Sequence, residues 1–242
     1  GPFFIKDQNG EEMILDWDFN AWGGKYHKYS KDDQIPQKVA QYLDVEFERP
    51  EQILEGGAID VNGAGLLITT ESVLLNKNRG QCHKEEYLSL FKDCLGVDEV
   101  IWLKSGLVDD ETDGHVDNVA RFISVDTVLI ATCREDDSNF DNLQRNKQQL
   151  ENFRSKEEGR LTLVELPLPN VYSGKERLSA SYCNFLITND SVFVPIFDCP
   201  DDENAVAILR RCFPEKSLKT FNCLDILEEG GAIHCLTQPQ FS

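Results

Sequence analysis

Few residues of this chain sit where side-chain chemistry could be done. It has four histidines and eight cysteines. His115 lies in "DDETDGHVDNVARF" (109–122). On an extended strand alternate side chains share a face, which places His115 beside Asp117. An imidazole oriented by a carboxylate, next to a flexible Gly114, suits general acid/base work. A strand-end histidine satisfied by a local hydrogen bond has the same spacing, and spacing alone leaves both readings standing.

Cys235 follows His234 in "EEGGAIHCLTQP" (228–239). Neighbours on a strand point to opposite faces, so His234 is expected beside the thiol but not as its base. A thiolate nucleophile needs a separate base or a cationic surrounding, and by composition His115 is the best-placed partner. Inert burial is the ordinary fate of a cysteine and stands as the alternative. The frame around Cys235 is written twice. "LEGGAID" (54–60) and "EEGGAIHC" (228–235) share Glu-Gly-Gly-Ala-Ile, then diverge to Asp60-Val61 and His234-Cys235. The paired glycines imply close backbone approach or positive φ. Glu55 and Glu229 precede them, and a solvated role would explain either.

Several chemistries are set aside. Cys82-His83 and His234-Cys235 are adjacent pairs without the ligand spacing of zinc sites, so no metal is expected. There is no glycine-rich phosphate loop ending in Lys-Ser/Thr, and Gly56-Gly57 is not a dinucleotide fingerprint. The net charge of −19 opposes a nucleic-acid partner. It would attract a small cation, although acidity also serves solubility alone. No apolar run approaches the roughly 18–20 residues of a membrane span. The opening "GPFFIKDQNG" has neither the basic nor the apolar region of a signal peptide. Without a Cys-x-x-Cys pair, the cysteines read as reduced thiols of a cytoplasmic protein, mostly buried.

The elements that must position these residues show a repeat. "ITTESVLL" (68–75), "ISVDTVLI" (123–130) and "ITNDSVFV" (187–194) share one plan, at spacings of 55 and 64 residues. Each reads as an apolar run, a polar turn and a second run, which predicts a β-hairpin. "FFIKDQNGEEMIL" predicts another around Asn9-Gly10. Helices are expected over Lys84–Leu95, capped by Gly96, over Asn142–Glu158 as an exposed helix, and over Asp202–Cys212 with Asp201 as N-cap. The first is expected to bury Tyr87, Leu88, Leu90, Phe91 and Leu95, the last Ala205, Ile208, Leu209 and Cys212. The strand-like runs "EVIWL", "LTLVEL" and "SLKTF" follow them. A hairpin–helix–strand unit recurring every 55–65 residues suggests a propeller-like or solenoid α/β assembly, with three clear units and a partial one at the start. No linker divides the chain, so one domain spans 1–242.

The motifs "EGGAID", "DETDGHVDNVARF", "SASYCNF" and "GGAIHCLTQPQ", in that order, resemble the agmatine deiminases of the bacterial-type peptidylarginine deiminase family, within the pentein superfamily. "DWDFNAWGGK" (16–25) and "TTESVLLNKNRG" (69–80) extend the resemblance to nearly the whole chain. It implies a five-bladed α/β propeller of ββαβ units, about four of them present here. It also implies hydrolysis of agmatine to N-carbamoylputrescine and ammonia without metal or organic cofactor. By the resemblance Cys235 is the nucleophile and His115 the acid/base. Asp117 and Glu55 pair with the guanidinium, since planar donors are best read by carboxylates in bidentate geometry. Those anions also raise the thiol pKa, so the thiolate is expected to form with help from the substrate or His115. Glu111 and Asp113 are candidates for the distal amine, with a solvated loop as the alternative, and Trp22 is a further substrate-binding candidate. The family places an Arg-Asp pair and roughly one more unit before "GP", so the chain is expected to be an N-terminally truncated piece lacking one guanidinium ligand. Free or peptidyl arginine as substrate, and an inactive fragment, remain the alternatives. A homo-oligomer is left open.

Overall fold

A computed structural model describes residues 1–108, 110–157 and 159–240. Asp109 of the "DDETDG" stretch and Glu158, at the end of the expected middle helix, lie outside the described residues. The chain repeats one ββαβ unit four times. The first is β1 (Phe3–Lys6), β2 (Glu12–Leu15), α1 (Ile35–Leu43) and β3 (Glu46–Glu48). The second is β4 (Ile59–Val61), β5 (Leu66–Thr70), α2 (Lys84–Leu95) and β6 (Glu99–Leu103). The third is β7 (Ala120–Phe122), β8 (Thr127–Thr132), α3 (Phe140–Asn152) and β9 (Thr162–Pro167). The fourth is β10 (Leu186–Ile187), β11 (Ser191–Ile196), α4 (Asp202–Cys212) and β12 (Ser217–Asn222). In every unit the first two strands pair antiparallel and the helix returns the chain to a third strand parallel to the second.

The central strand of each sheet carries the packing. All five residues of β5 are buried. Alternation sends Leu66 and Ile68 into the core shared with the third and fourth units, and Leu67 into the core beneath β1, β2 and α2. Tyr87 and Phe91, one turn apart on α2, are fully buried in that second core. Each such burial stabilises by about 1.5–3 kcal/mol. Polar cross-links tie the units together. Asp60 Oδ1 accepts from Arg121 Nε at 2.6 Å and Asp60 Oδ2 from Phe122 N–H at 2.6 Å. Arg121 Nη1 in turn donates to the carbonyls of Cys183 (3.2 Å) and Phe185 (3.0 Å).

Two of the three expected repeat hairpins form, around 123–127 and 187–191. The third does not. Glu71–Leu74 of "ITTESVLL" is a helical turn, and the hairpin of that unit lies upstream between β4 and β5. Its turn is set by Asn62, whose Oδ1 accepts from Ala64 N–H (2.8 Å) and Leu66 N–H (2.9 Å). The middle helix is α3, ending at Asn152, and is not an exposed helix: Leu143, Asn146 and Leu150 are buried. On α2 Leu88 faces solvent. Asp201 makes no side-chain cap. The Asp202 carboxylate instead accepts from the N–H groups of Phe197 and Cys199 and from the Tyr182 hydroxyl (2.6 Å).

Candidate active site

Three short 3-10 turns build the site: Gly56–Ala58 before β4, Val116–Asn118 before β7, and His234–Leu236 near the C-terminus. The first packs against both others. The approach is so close that a side chain at Gly57 is excluded. A Cβ there would lie 2.6 Å from His115 Nδ1 and 2.8 Å from Asp117 Oδ2. The matching glycine of the second copy, Gly231, is closed off by Cys235, whose Cβ and Sγ would lie 2.8 and 3.1 Å away. The second glycine of the duplicated pair therefore serves close approach in both copies, each time against a different reactive side chain.

The backbone after that frame is not duplicated. Ile59–Val61 runs on as β4, whereas His234–Leu236 coils into a 3-10 turn. The expected strand at 115–117 likewise gives way to a 3-10 turn, Val116–Asn118, with His115 just before it. Both differences correct the strand-face argument. A 3-10 turn separates successive side chains by a third of a turn, so neighbours can enter one cavity. His234 Nδ1 lies 2.8 Å from Asp117 Oδ2, and the Cys235 thiol faces the same oxygen at 3.7 Å. His234 is thus part of the cluster, through Asp117.

Glu55, His115, Asp117 and Cys235 converge. Asp117 is fully buried, and His115 and Glu55 nearly so. The His115 N–H donates to Asp110 Oδ2 (3.0 Å) and Thr112 Oγ1 (3.1 Å), which anchors the turn. His115 Nε2 faces Glu55 Oε2 at 3.9 Å, too far for a hydrogen bond. Glu55 Oε2, His115 Nε2 and Asp117 Oδ1 are buried polar atoms without a hydrogen-bond partner among the described residues. Natural interiors rarely tolerate such orphans: the two carboxylate oxygens call for a ligand rich in N–H donors, with the His115 nitrogen beside them as a proton-carrying group. Asn184, in "SASYCNF", holds the nucleophile candidate. Its Nδ2 donates to Cys235 Sγ (3.1 Å) and Asn118 Oδ1 (3.1 Å), and its Oδ1 accepts the His234 N–H (3.0 Å).

The charges are coupled. Burial alone would raise the Glu55 and Asp117 carboxyls. His115 and Arg79 outweigh it for Glu55, and His234, His115 and Arg121 for Asp117, so both are held below the ordinary carboxylate range. Burial would lower His115, but Glu55, Asp117 and Asp110 outweigh it and hold the imidazole above its usual value. The Cys235 thiol is pushed up to about 12 by burial and by the Asp117 charge. At that value it is a thiol, not a thiolate, near neutral pH.

The other candidates lie along one side. Tyr26 OH donates to Glu111 Oε2 (3.1 Å), and the Trp22 ring meets Tyr26 edge-on at 5.7 Å between centroids. Asp113 is already engaged: Lys25 Nζ lies 2.9 Å from Oδ1, and Asn78 Nδ2 (2.9 Å) and Arg79 Nη1 (2.6 Å) donate to Oδ2. Burial would raise its carboxyl, but those partners hold it low. Sequence reasoning missed Asn184, Arg79 and the role of His234. The first two stand inside "SASYCNF" and "TTESVLLNKNRG", which carried signal as motifs but had no spacing to tie them to the site.

A model of the family described as Porphyromonas-type peptidyl-arginine deiminase matches residues 1–240. The chain is 39% identical over 269 aligned positions to the agmatine deiminase of Pseudomonas aeruginosa (strain UCBPP-PA14), covering 99% of this chain and 72% of that protein. It superposes on the agmatine deiminase of Enterococcus faecalis with a TM-score of 0.93 at 34% identity, over 98% of this chain and 72% of the other. It superposes on a substrate-bound C. jejuni agmatine deiminase with a TM-score of 0.88 at 33% identity, over 97% and 70%. The four ββαβ units are thus the units of a pentein-type α/β propeller.

Proposed function

This chain belongs to the Porphyromonas-type peptidyl-arginine deiminase family, and from that membership we propose that, as one domain over 1–242, it hydrolyses agmatine to N-carbamoylputrescine and ammonia. The observation that carries the reading is the trio of orphaned polar atoms on Glu55, His115 and Asp117 beside the Cys235 thiol. A guanidinium offers planar N–H donors to the carboxylate oxygens and sets its carbon toward sulfur. Its positive charge also offsets Asp117, so the thiol proton leaves to solvent as the cation enters.

The Cys235 thiolate then attacks the guanidinium carbon and forms the C–S bond. His115, held protonated by its carboxylates, gives a proton to one amino group, which departs as ammonia and leaves an amidino thioether. The neutral His115 takes a proton from water as the oxygen attacks the same carbon. Collapse breaks the C–S bond, the urea oxygen gives up its proton to restore the thiol, and ammonia takes up the proton released at binding.

Glu111 would receive the distal ammonium, with Trp22 and Tyr26 as a wall. Asp113 would join only if Lys25 moved away. Free arginine would need a cation for its α-carboxylate. Lys25 and Arg79, the cations that lie against Asp113, are already paired with it, which favours agmatine. The test compares ammonia and ureido-product formation from agmatine, free arginine and a peptidyl-arginine. Higher turnover on either arginine substrate overturns the choice of agmatine.

A further inference from the structure

Arg79 is a complete guanidinium inside the protein, in the same cluster that is proposed to bind one. Its side chain is fully buried. It closes a 3-10 turn, Lys77–Arg79, and its carbonyl accepts from Gln52 Nε2 at 2.8 Å. The fork makes four contacts. Nε donates to Glu55 Oε1 at 2.7 Å, and Nη1 to Asp113 Oδ2 at 2.6 Å and Asn78 Oδ1 at 2.8 Å. Nη2 donates to the Thr112 carbonyl at 3.0 Å.

These contacts divide the two Glu55 oxygens. Oε1 is fixed on Arg79, and Oε2 is left bare 3.9 Å from His115 Nε2. The same fork holds Thr112 and Asp113, the residues that lead the chain into His115. It also holds the turn that carries Trp22. Gly23 packs so tightly here that a Cβ would lie 2.2 Å from Asn78 Nδ2 and 2.6 Å from Arg79 Nη1. Asn20 Nδ2 adds a bond to the Asn78 carbonyl at 2.7 Å. Ala21 and Trp22 are both left-handed, with φ of 57° and 53°. That conformation is unfavourable for residues with a Cβ and persists only where neighbours impose it.

Taking the deiminase reading as its basis, we propose that Arg79 is a positioning residue for the reaction: it aims Glu55 at the reacting guanidinium and joins that end of the site to the Trp22–Asp113 end. Lysine cannot substitute, because a single ammonium cannot span Glu55, Asp113 and a carbonyl as a planar fork does. Loss of the charge would leave His115 alone against the burial of Glu55, which favours its protonated form and weakens it as a substrate ligand.

The test uses the parent chain with R79K, R79Q, E55Q and R79Q/E55Q. Labelling of Cys235 by 2-chloroacetamidine counts competent sites, and agmatine turnover is expressed per labelled site. R79Q should lower kcat on the order of 100-fold while KM changes less than about threefold. R79K should stay below about a tenth of parental kcat, and R79Q should add less than about threefold to the loss in E55Q. A merely structural Arg79 would lower the melting temperature and the labelled fraction at unchanged kcat per labelled site. Parental kcat per labelled site in R79Q or R79K, or a full extra loss in R79Q/E55Q, overturns the proposal. If R79Q does not fold, R79K decides, since it keeps the charge and loses the planar fork: kcat per labelled site below about a tenth of parental supports the proposal, and parental kcat overturns it. Failure of the deiminase reading shows separately, as a parent chain that neither takes the label nor turns over agmatine.

Discussion

His234 Nδ1 lies 2.8 Å from Asp117 Oδ2. One oxygen of the carboxylate proposed to grip the guanidinium is therefore already engaged, and the other, Oδ1, has no partner among the described residues. His234 is also the strongest of the groups that hold the Asp117 carboxyl low against its own burial. H234A should let that carboxyl titrate at higher pH, because burial then acts with one opponent fewer. The acid limb of kcat/KM against pH should move to higher pH. A limb that stays in place would show that Asp117 does not depend on His234.

The Cys235 thiol is held up near 12 by burial first and by Asp117 second. D117N removes the second cause and keeps the shape of the site. Its thiol should titrate lower, so a neutral alkylating agent such as iodoacetamide should react faster with D117N than with the parent at pH 8. Agmatine turnover should fall on the order of 100-fold or more, since the guanidinium loses a carboxylate. The two measurements should thus move in opposite directions. Slower alkylation in D117N would remove Asp117 as a cause of the high thiol pKa.

The unit plan was legible because it is local: period-two strands, the Gly96 cap and the apolar faces of α2 and α4 stand in the sequence itself. The converging residues were legible only through motifs, since Glu55, His115 and Cys235 lie far apart along the chain. The misread strands share one cause. "ITTESVLL", "HVD" and "IHC" all have strand-like composition, yet a helical or 3-10 turn forms at each. Apolar alternation cannot tell a strand from a short turn whose residues are needed at a tertiary contact. His234 was misplaced for that reason. Arg79 was missed because a buried arginine has no local signature, and its worth depends on partners 24 and 34 residues away.

Gly57 should be intolerant of a single methyl. A Cβ at this position would lie 2.6 Å from His115 Nδ1 and 2.8 Å from Asp117 Oδ2, and both side chains are buried. G57A must therefore push the acid/base away from its place, at a cost of about 1–3 kcal/mol of stability from overpacking. Turnover should fall by a larger factor, on the order of 100-fold, because misplacement by about 1 Å is enough for that. Thermal unfolding and kcat measured together check this. Parental kcat in G57A would mean that His115 is not held where the chemistry occurs.

The folded protein should also show the titration of His115 in its stability. The imidazole is held above its ordinary value by Glu55, Asp117 and Asp110. A group raised in this way stabilises the fold fully below its unfolded pKa of about 6.5, and that contribution is lost as the pH rises through the folded value. The carboxyls act in the opposite sense. Glu55 and Asp117 are held low, so their contribution is present above about pH 4–4.5 and lost as the pH falls through their depressed values. H115N keeps a polar side chain of smaller size but cannot take the proton. The melting temperature of the parent relative to H115N should accordingly be highest between about pH 5 and 6.5 and should shrink toward pH 9. A difference that grows with rising pH would mean that the buried imidazole is neutral, and that the proton for departing ammonia must come from another group.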